Sequence, residues 1–88
     1  MIAAAELDAI LQQVEQHGVS EAMVGQLRLR YPGMHFTYCM DDDINSGKPV
    51  AIREGFALYL VDSREHCSCL TTDLEVASGV VLAEVVAD

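Results

Sequence analysis

Pro32-Gly33-Met34-His35-Phe36-Thr37-Tyr38-Cys39-Met40 is the stretch on which the fold turns. Before it, apolar residues recur at helical spacing. After Gly33 the period drops to two. Met34, Phe36, Tyr38 and Met40 alternate with His35, Thr37 and Cys39, which is the pattern of a half-buried strand. Pro32 stops whatever helix precedes it, because the residue before a proline avoids helical angles. Pro32-Gly33 also has the sequence of a type II turn.

N-terminal to this switch, Leu7, Ile10, Leu11 and Val14 follow i, i+3, i+4, i+7 spacing. They predict one amphipathic helix from about Ala3 to His17, ended by Gly18. His17 falls in its last turn, where positive charge suits the helix dipole. Ser20 reads as the N-cap of a second helix, with Glu21 in its first turn and Met23, Val24, Leu27 and Tyr31 as its apolar stripe. Two short helices joined this closely form an αα-hairpin.

C-terminal to the switch, residues 41–49 (Asp41-Asp42-Asp43-Ile44-Asn45-Ser46-Gly47-Lys48-Pro49) form a loop by composition. Val50 to Arg53 reads as a short strand, and Glu54-Gly55 as a turn. Phe56-Ala57-Leu58-Tyr59-Leu60-Val61 is apolar on both faces and belongs in the middle of a sheet. Asp62-Ser63-Arg64-Glu65 turns the chain tightly into a strand from His66 to Leu70. Thr72-Asp73-Leu74-Glu75 has the form of a capping box. A short helix ending at Gly79 and then an apolar strand follow, with one helix over 73–86 as the alternative. The valines at 80, 81, 85 and 86 favour the strand.

The expected fold is therefore α+β. An N-terminal αα-hairpin packs on a small, mostly antiparallel sheet of about three to five strands, with a short C-terminal helix plus strand. Phe36, Tyr38, Leu58, Leu60, Leu7, Leu11 and Leu27 are the expected core. The 88 residues make a single domain. A chain of this length buries about 60–65% of its unfolded surface, enough to fold alone with little margin.

Charge narrows the function classes. Fourteen acidic residues against five basic ones leave a net charge of −9. That balance repels a phosphate backbone and an anionic membrane surface, so neither is an expected partner. A basic protein surface is the compatible one. No apolar run approaches the ~18 residues of a membrane span. Glu6 and Asp8 stand where a signal peptide would be apolar, so a cytoplasmic location is expected. Three cysteines are too few for a disulfide scaffold, which fits a reducing compartment.

Five residues attract attention as soft ligands: His35, Cys39, His66, Cys67 and Cys69. His35 and Cys39 share one face of a strand, and Cys67 and Cys69 share a face of another. If those strands were neighbours, the set would hold zinc or iron. Against this, Cys-Ser-Cys is tighter than the usual zinc knuckle, and buried cysteine often serves as a small hydrophobe. His66 points away from Cys67, so a thiol-activating partner would have to come from elsewhere, such as His35 for Cys39.

Asp41, Asp42 and Asp43 are the second group. Asp41, Asp43 and Asn45 occupy the first, third and fifth places of a calcium-binding loop. The match then fails at Ser46, which should be Gly, and at Ile52, which should be Glu. Their sign suits docking to a basic partner. Arg64-Glu65-His66 follows the expected turn, where an arginine beside a histidine could grip a carboxylate or phosphate but such residues more often solvate the turn. No phosphate loop, nucleophile triad or zinc-protease motif is present. The expected function is non-catalytic docking, with metal or thiol handling as the alternative. An unpaired edge on so small a sheet also invites a homodimer.

His35-Phe36-Thr37-Tyr38-Cys39, Asp41-Asp42-Asp43-Ile44, Leu58-Tyr59-Leu60-Val61-Asp62 and Leu82-Ala83-Glu84-Val85 together resemble a small family of uncharacterised proteobacterial proteins associated with nitrogen-fixation gene neighbourhoods. The resemblance implies a cytoplasmic bacterial protein that is accessory to metallocluster assembly or to nitrogenase. It brings no catalytic residues with it.

Overall fold

The structure is a computed structural model and describes residues 2–44, 47–62 and 69–85. Helix α1 spans Ala4–His17 and α2 spans Glu21–Arg30. Strand β1 spans His35–Met40, followed by a 3-10 turn at Asp41–Asp43. Strands β2 (Ala51–Arg53), β3 (Phe56–Asp62), β4 (Cys69–Thr71) and β5 (Gly79–Glu84) complete the chain.

Each helix end has a local cause. The Glu6 carboxylate accepts the backbone N–H of Ala3 at 3.1 Å and so starts α1. The N–H of Gly18 returns to the Val14 carbonyl at its end. Ser20 Oγ accepts the N–H of Met23 at 3.1 Å, the N-cap that its position predicts. Helix α2 ends at Arg30, ahead of Pro32.

The five strands form one mixed sheet in the order β1-β5-β3-β2, and β4 pairs beyond β2 on the same edge of β3. Among the described residues only the β1–β5 pair is parallel; β3 runs antiparallel to β2, β4 and β5. The first and last strands are thus neighbours, and β3 and β5 occupy the middle. A Cβ at Gly79 would lie 2.9 Å from the carbonyl oxygen of His35, so the close approach of β1 to β5 at this register requires a residue without a side chain.

The αα-hairpin covers one face. Ile10, Leu11 and Val14 of α1 and Met23, Val24 and Leu27 of α2 pack on Phe36, Phe56, Leu58, Leu60, Val80 and Leu82. Of the expected core, Phe36, Leu58, Leu60, Leu11 and Leu27 are buried, while Leu7 and Tyr38 are half-buried at its margin. On the other face Ala57, Tyr59 and Ala83 form a second buried cluster. Residues after β1 cover it. Ile44 and the half-buried Cys39 pack there with Leu70 and Val81. Gly47, at positive φ, lies so close to Leu70 that a Cβ would collide with it. The connection from β1 to β2 therefore acts as a strap across the sheet.

One element differs from expectation. Among the described residues, 72–78 contain no α-helix. Thr71 Oγ1 accepts the N–H of Asp73 at 3.1 Å, and Asp73 Oδ1 accepts that of Glu75 at 2.9 Å. Two side-chain turns of this kind compete with helix initiation and replace the capping box. The Leu74 carbonyl accepts the N–H of Ile2, and Ser78 N–H donates to the Val61 carbonyl, which commits the segment to the sheet. The apolar strand is present and starts at Gly79. The tight turn after Asp62 and the start of the strand at His66 fall outside the described residues; its described part is Cys69–Thr71.

Candidate functional site

The described members of the soft-ligand set, His35, Cys39 and Cys69, do not come together. Cys39 on β1 and Cys69 on β4 are separated by β5 and β3. Cys39 lies in register with Ala83 and Ala57, and Cys69 with Asp62. Three strand spacings across and five residues along the strands put the two cysteines on the order of 20 Å apart. The pleat also sends them to opposite faces, since Cys69 follows Asp62 and Leu60 while Cys39 follows Ala57. One ion cannot be held by both. His35 and Cys39 do share a face, but four residues of strand separate them by ~13 Å, too far for one ion or an activated thiol. His66 and Cys67 lie outside the described residues. Among the described residues no three His, Cys, Asp or Glu side chains converge as metal ligands.

His35 and Cys69 do line one cleft, of about 420 Å³, with Thr37, Val61, Leu70 and Val81 among its other walls. They stand at its two sides, roughly three strand spacings apart.

The carboxylates gather at the other end of the sheet. Strands β1 and β5 run parallel, so both finish there, with Met40 beside Glu84. The Tyr38 hydroxyl donates to Glu84 Oε1 at 2.6 Å and lies near Met40 Sδ at 3.7 Å. That hydrogen bond, with burial and the negative charges of Glu84 and Glu21, raises the Tyr38 phenol above the usual tyrosine value. Glu21 reaches this end from the first turn of α2, where the helix dipole favours a carboxylate. The Tyr59 hydroxyl donates to Asp41 Oδ1 at 3.3 Å. Burial, then the Asp41 charge and this bond, raise the Tyr59 phenol as well.

Asp41 therefore has two roles. It fastens the strap to the sheet and contributes charge to the acidic end. Asp42 beside it is exposed, and the side chain of Asp43 lies outside the described residues. Sequence reasoning identified the aspartates and missed Glu21, Glu84, Tyr38 and Tyr59. The missing signal was the pairing of β1 with β5, which no local pattern encodes.

Among the described residues no salt bridge involves Glu21, Asp41 or Glu84. Among the described residues the one salt bridge is Arg53 to Glu15, 2.6 Å and solvent-exposed. Arg28 donates from Nε and Nη2 to the carbonyl of Phe36, at 3.2 and 2.9 Å. Arg30 stacks near the Tyr31 ring, 5.8 Å from its centre. Among the described residues no helix is long and apolar enough to cross a membrane.

A family model described as a family of unknown function, DUF6129, matches residues 9–85. The chain belongs to that family. No curated protein matches it, and no solved structure does.

Proposed function

For this member of a family without an assigned activity, we propose a small non-catalytic accessory protein that docks a basic protein surface through the acidic end of its sheet. One observation carries the reading: Glu84 and Glu21, from β5 and α2, act on the Tyr38 hydroxyl on the helix-covered face, Asp41 accepts the Tyr59 hydroxyl on the opposite face, and Asp42 is exposed alongside. Carboxylates brought to both faces from distant parts of a chain are harder to explain by turn solvation than a run of aspartates alone. A net charge of −9 extends the same field over the molecule and speeds encounter with a basic partner. The resemblance noted in the sequence makes a protein of metallocluster assembly, or nitrogenase itself, the first partner to test.

Metal or thiol handling draws no support from Cys39 and Cys69, which stand far apart, and its other residues, His66 and Cys67, lie outside the described residues. The test of docking is an affinity measurement with the purified partner over a range of salt. Affinity should fall steeply as salt rises. Replacing Asp41, Asp42 and Asp43 together by asparagine should weaken it by on the order of tenfold at low salt. Unchanged affinity in that variant at low salt overturns the reading.

A further inference from the structure

The outer edge of β1 has a composition and setting that suit a particular kind of partner. Strand β5 pairs with one side of β1, and among the described residues no strand pairs with the other. The N–H of His35 donates to the Ser78 carbonyl at 3.2 Å. In a parallel ladder successive residues alternate the side to which they present their backbone groups. His35, Thr37 and Cys39 therefore turn theirs toward β5, and Phe36, Tyr38 and Met40 turn theirs outward. The Arg28 bonds to the Phe36 carbonyl agree with this assignment, because they approach from α2 on the outer side.

Arg28 closes only the N-terminal half of the edge. Tyr38 and Met40, in the other half, present outward backbone groups on a strand that carries no charge and no proline. These are the devices by which edge strands usually block pairing. The open half ends in Asp41 and Asp42. Glu84, on the neighbouring β5, accepts the Tyr38 hydroxyl beside it, and Asp42 at the end of the strand is exposed.

We infer that the C-terminal half of β1 accepts an extended, lysine- or arginine-bearing segment of a partner protein as an added strand. This inference rests on the docking role proposed above and specifies its form. Backbone hydrogen bonds from Tyr38 and Met40 supply affinity, and the exposed Asp42 with the negative charge of the adjoining Asp41 and Glu84 selects basic side chains. The guanidinium of Arg28 on the Phe36 carbonyl already shows an arginine accepted at this edge. A second copy of the chain is the wrong occupant. Antiparallel pairing of two copies through their open halves would bring the two Asp41-Asp42 pairs together, on molecules that each carry −9.

The probe is a short synthetic peptide of alternating lysine and threonine, compared with the same sequence N-methylated at every amide. The two carry equal charge and differ in their backbone donors. Binding is measured by calorimetry, and amide hydrogen exchange is followed at Tyr38 and Met40. The unmodified peptide should bind and slow exchange at both amides. N-methylation should weaken binding by about tenfold or more, as expected for the loss of several hydrogen bonds. Equal binding of both peptides without protection of Tyr38 and Met40 overturns strand addition and leaves acidic docking standing. Binding unchanged by Asp41→Asn with Asp42→Asn removes the acidic selection and with it this inference. No binding of either peptide overturns it too. Protection of the two amides that rises with protein concentration alone would assign the edge to a second copy instead.

Discussion

The Tyr38 hydroxyl on the first strand donates to the Glu84 carboxylate on the last, at 2.6 Å and 46 residues away in sequence. The bond is set by the parallel register of β1 and β5, in which Tyr38 stands beside Leu82 and reaches the next residue on the same face. It makes Tyr38 a reporter of whether the two strands are joined.

Alkaline pH should separate the tyrosines. Tyr38 and Tyr59 both have raised values in the folded chain. A group raised by folding contributes stability that is fully present below its unfolded value, about 10 for tyrosine, and is lost as pH rises through the folded value. Denaturation midpoints should therefore fall above about pH 10. Tyr38→Phe and Tyr59→Phe should each flatten that fall. Phenolate absorbance in the native protein should show two side chains ionising later than a free tyrosine. Simultaneous ionisation at the ordinary value would refute the assignment.

Two glycines should respond in opposite ways to alanine. At Gly79 the new Cβ meets the backbone oxygen of His35, which cannot rotate aside. Gly79→Ala should cost about 1–3 kcal/mol. At Gly25, inside α2, a Cβ meets nothing within 4 Å. Gly25→Ala should stabilise by about 0.5–1 kcal/mol through helix propensity. Urea denaturation of the two variants checks both signs.

The middle of the sheet should be intolerant of truncation. Leu60 on β3 and Leu82 on β5 are fully buried beneath the αα-hairpin. Leu60→Ala or Leu82→Ala should cost about 2–5 kcal/mol, a large part of the stability of so small a domain. A loss below 1 kcal/mol in denaturant titration would mean that the hairpin does not seal this face.

Salt should stabilise the fold while weakening its docking. The Arg53–Glu15 pair is exposed at both side chains, so Arg53→Gln should change stability by less than about 1 kcal/mol. Self-repulsion among the excess carboxylates is the larger electrostatic effect. Raising ionic strength well above about 0.1 M should increase the melting temperature. A melting temperature that falls with added salt would point to favourable ion pairing instead.

The parts of the fold that were legible in the sequence are those with a local cause. The stripe of Ile10, Leu11 and Val14, the Ser20 cap and the alternation from Met34 to Met40 each recur in the structure at their expected places. The helix after Thr72 failed because Thr71 and Asp73 made competing side-chain turns, a choice that spacing alone does not resolve. Cys39 and Cys69 lie far apart because strand order is a long-range property. The acidic end was half legible. Asp41 and Asp42 were conspicuous as neighbours, but the placing of Glu84 at Tyr38, on the opposite face from Asp41, depends on the β1–β5 pairing.

That pairing also fixes an order of assembly. Strand β5 follows the other described strands in sequence, yet it lies between β1 and β3, and in its absence those two strands have no common neighbour. The αα-hairpin and the β2–β3 hairpin close locally, but the hydrophobic layer joining them is incomplete until residues 79–84 are inserted. Contacts spanning so much of a chain close slowly. Until then Phe36 and Leu58 stay partly uncovered, and the unfinished sheet is exposed to chaperones in the interval.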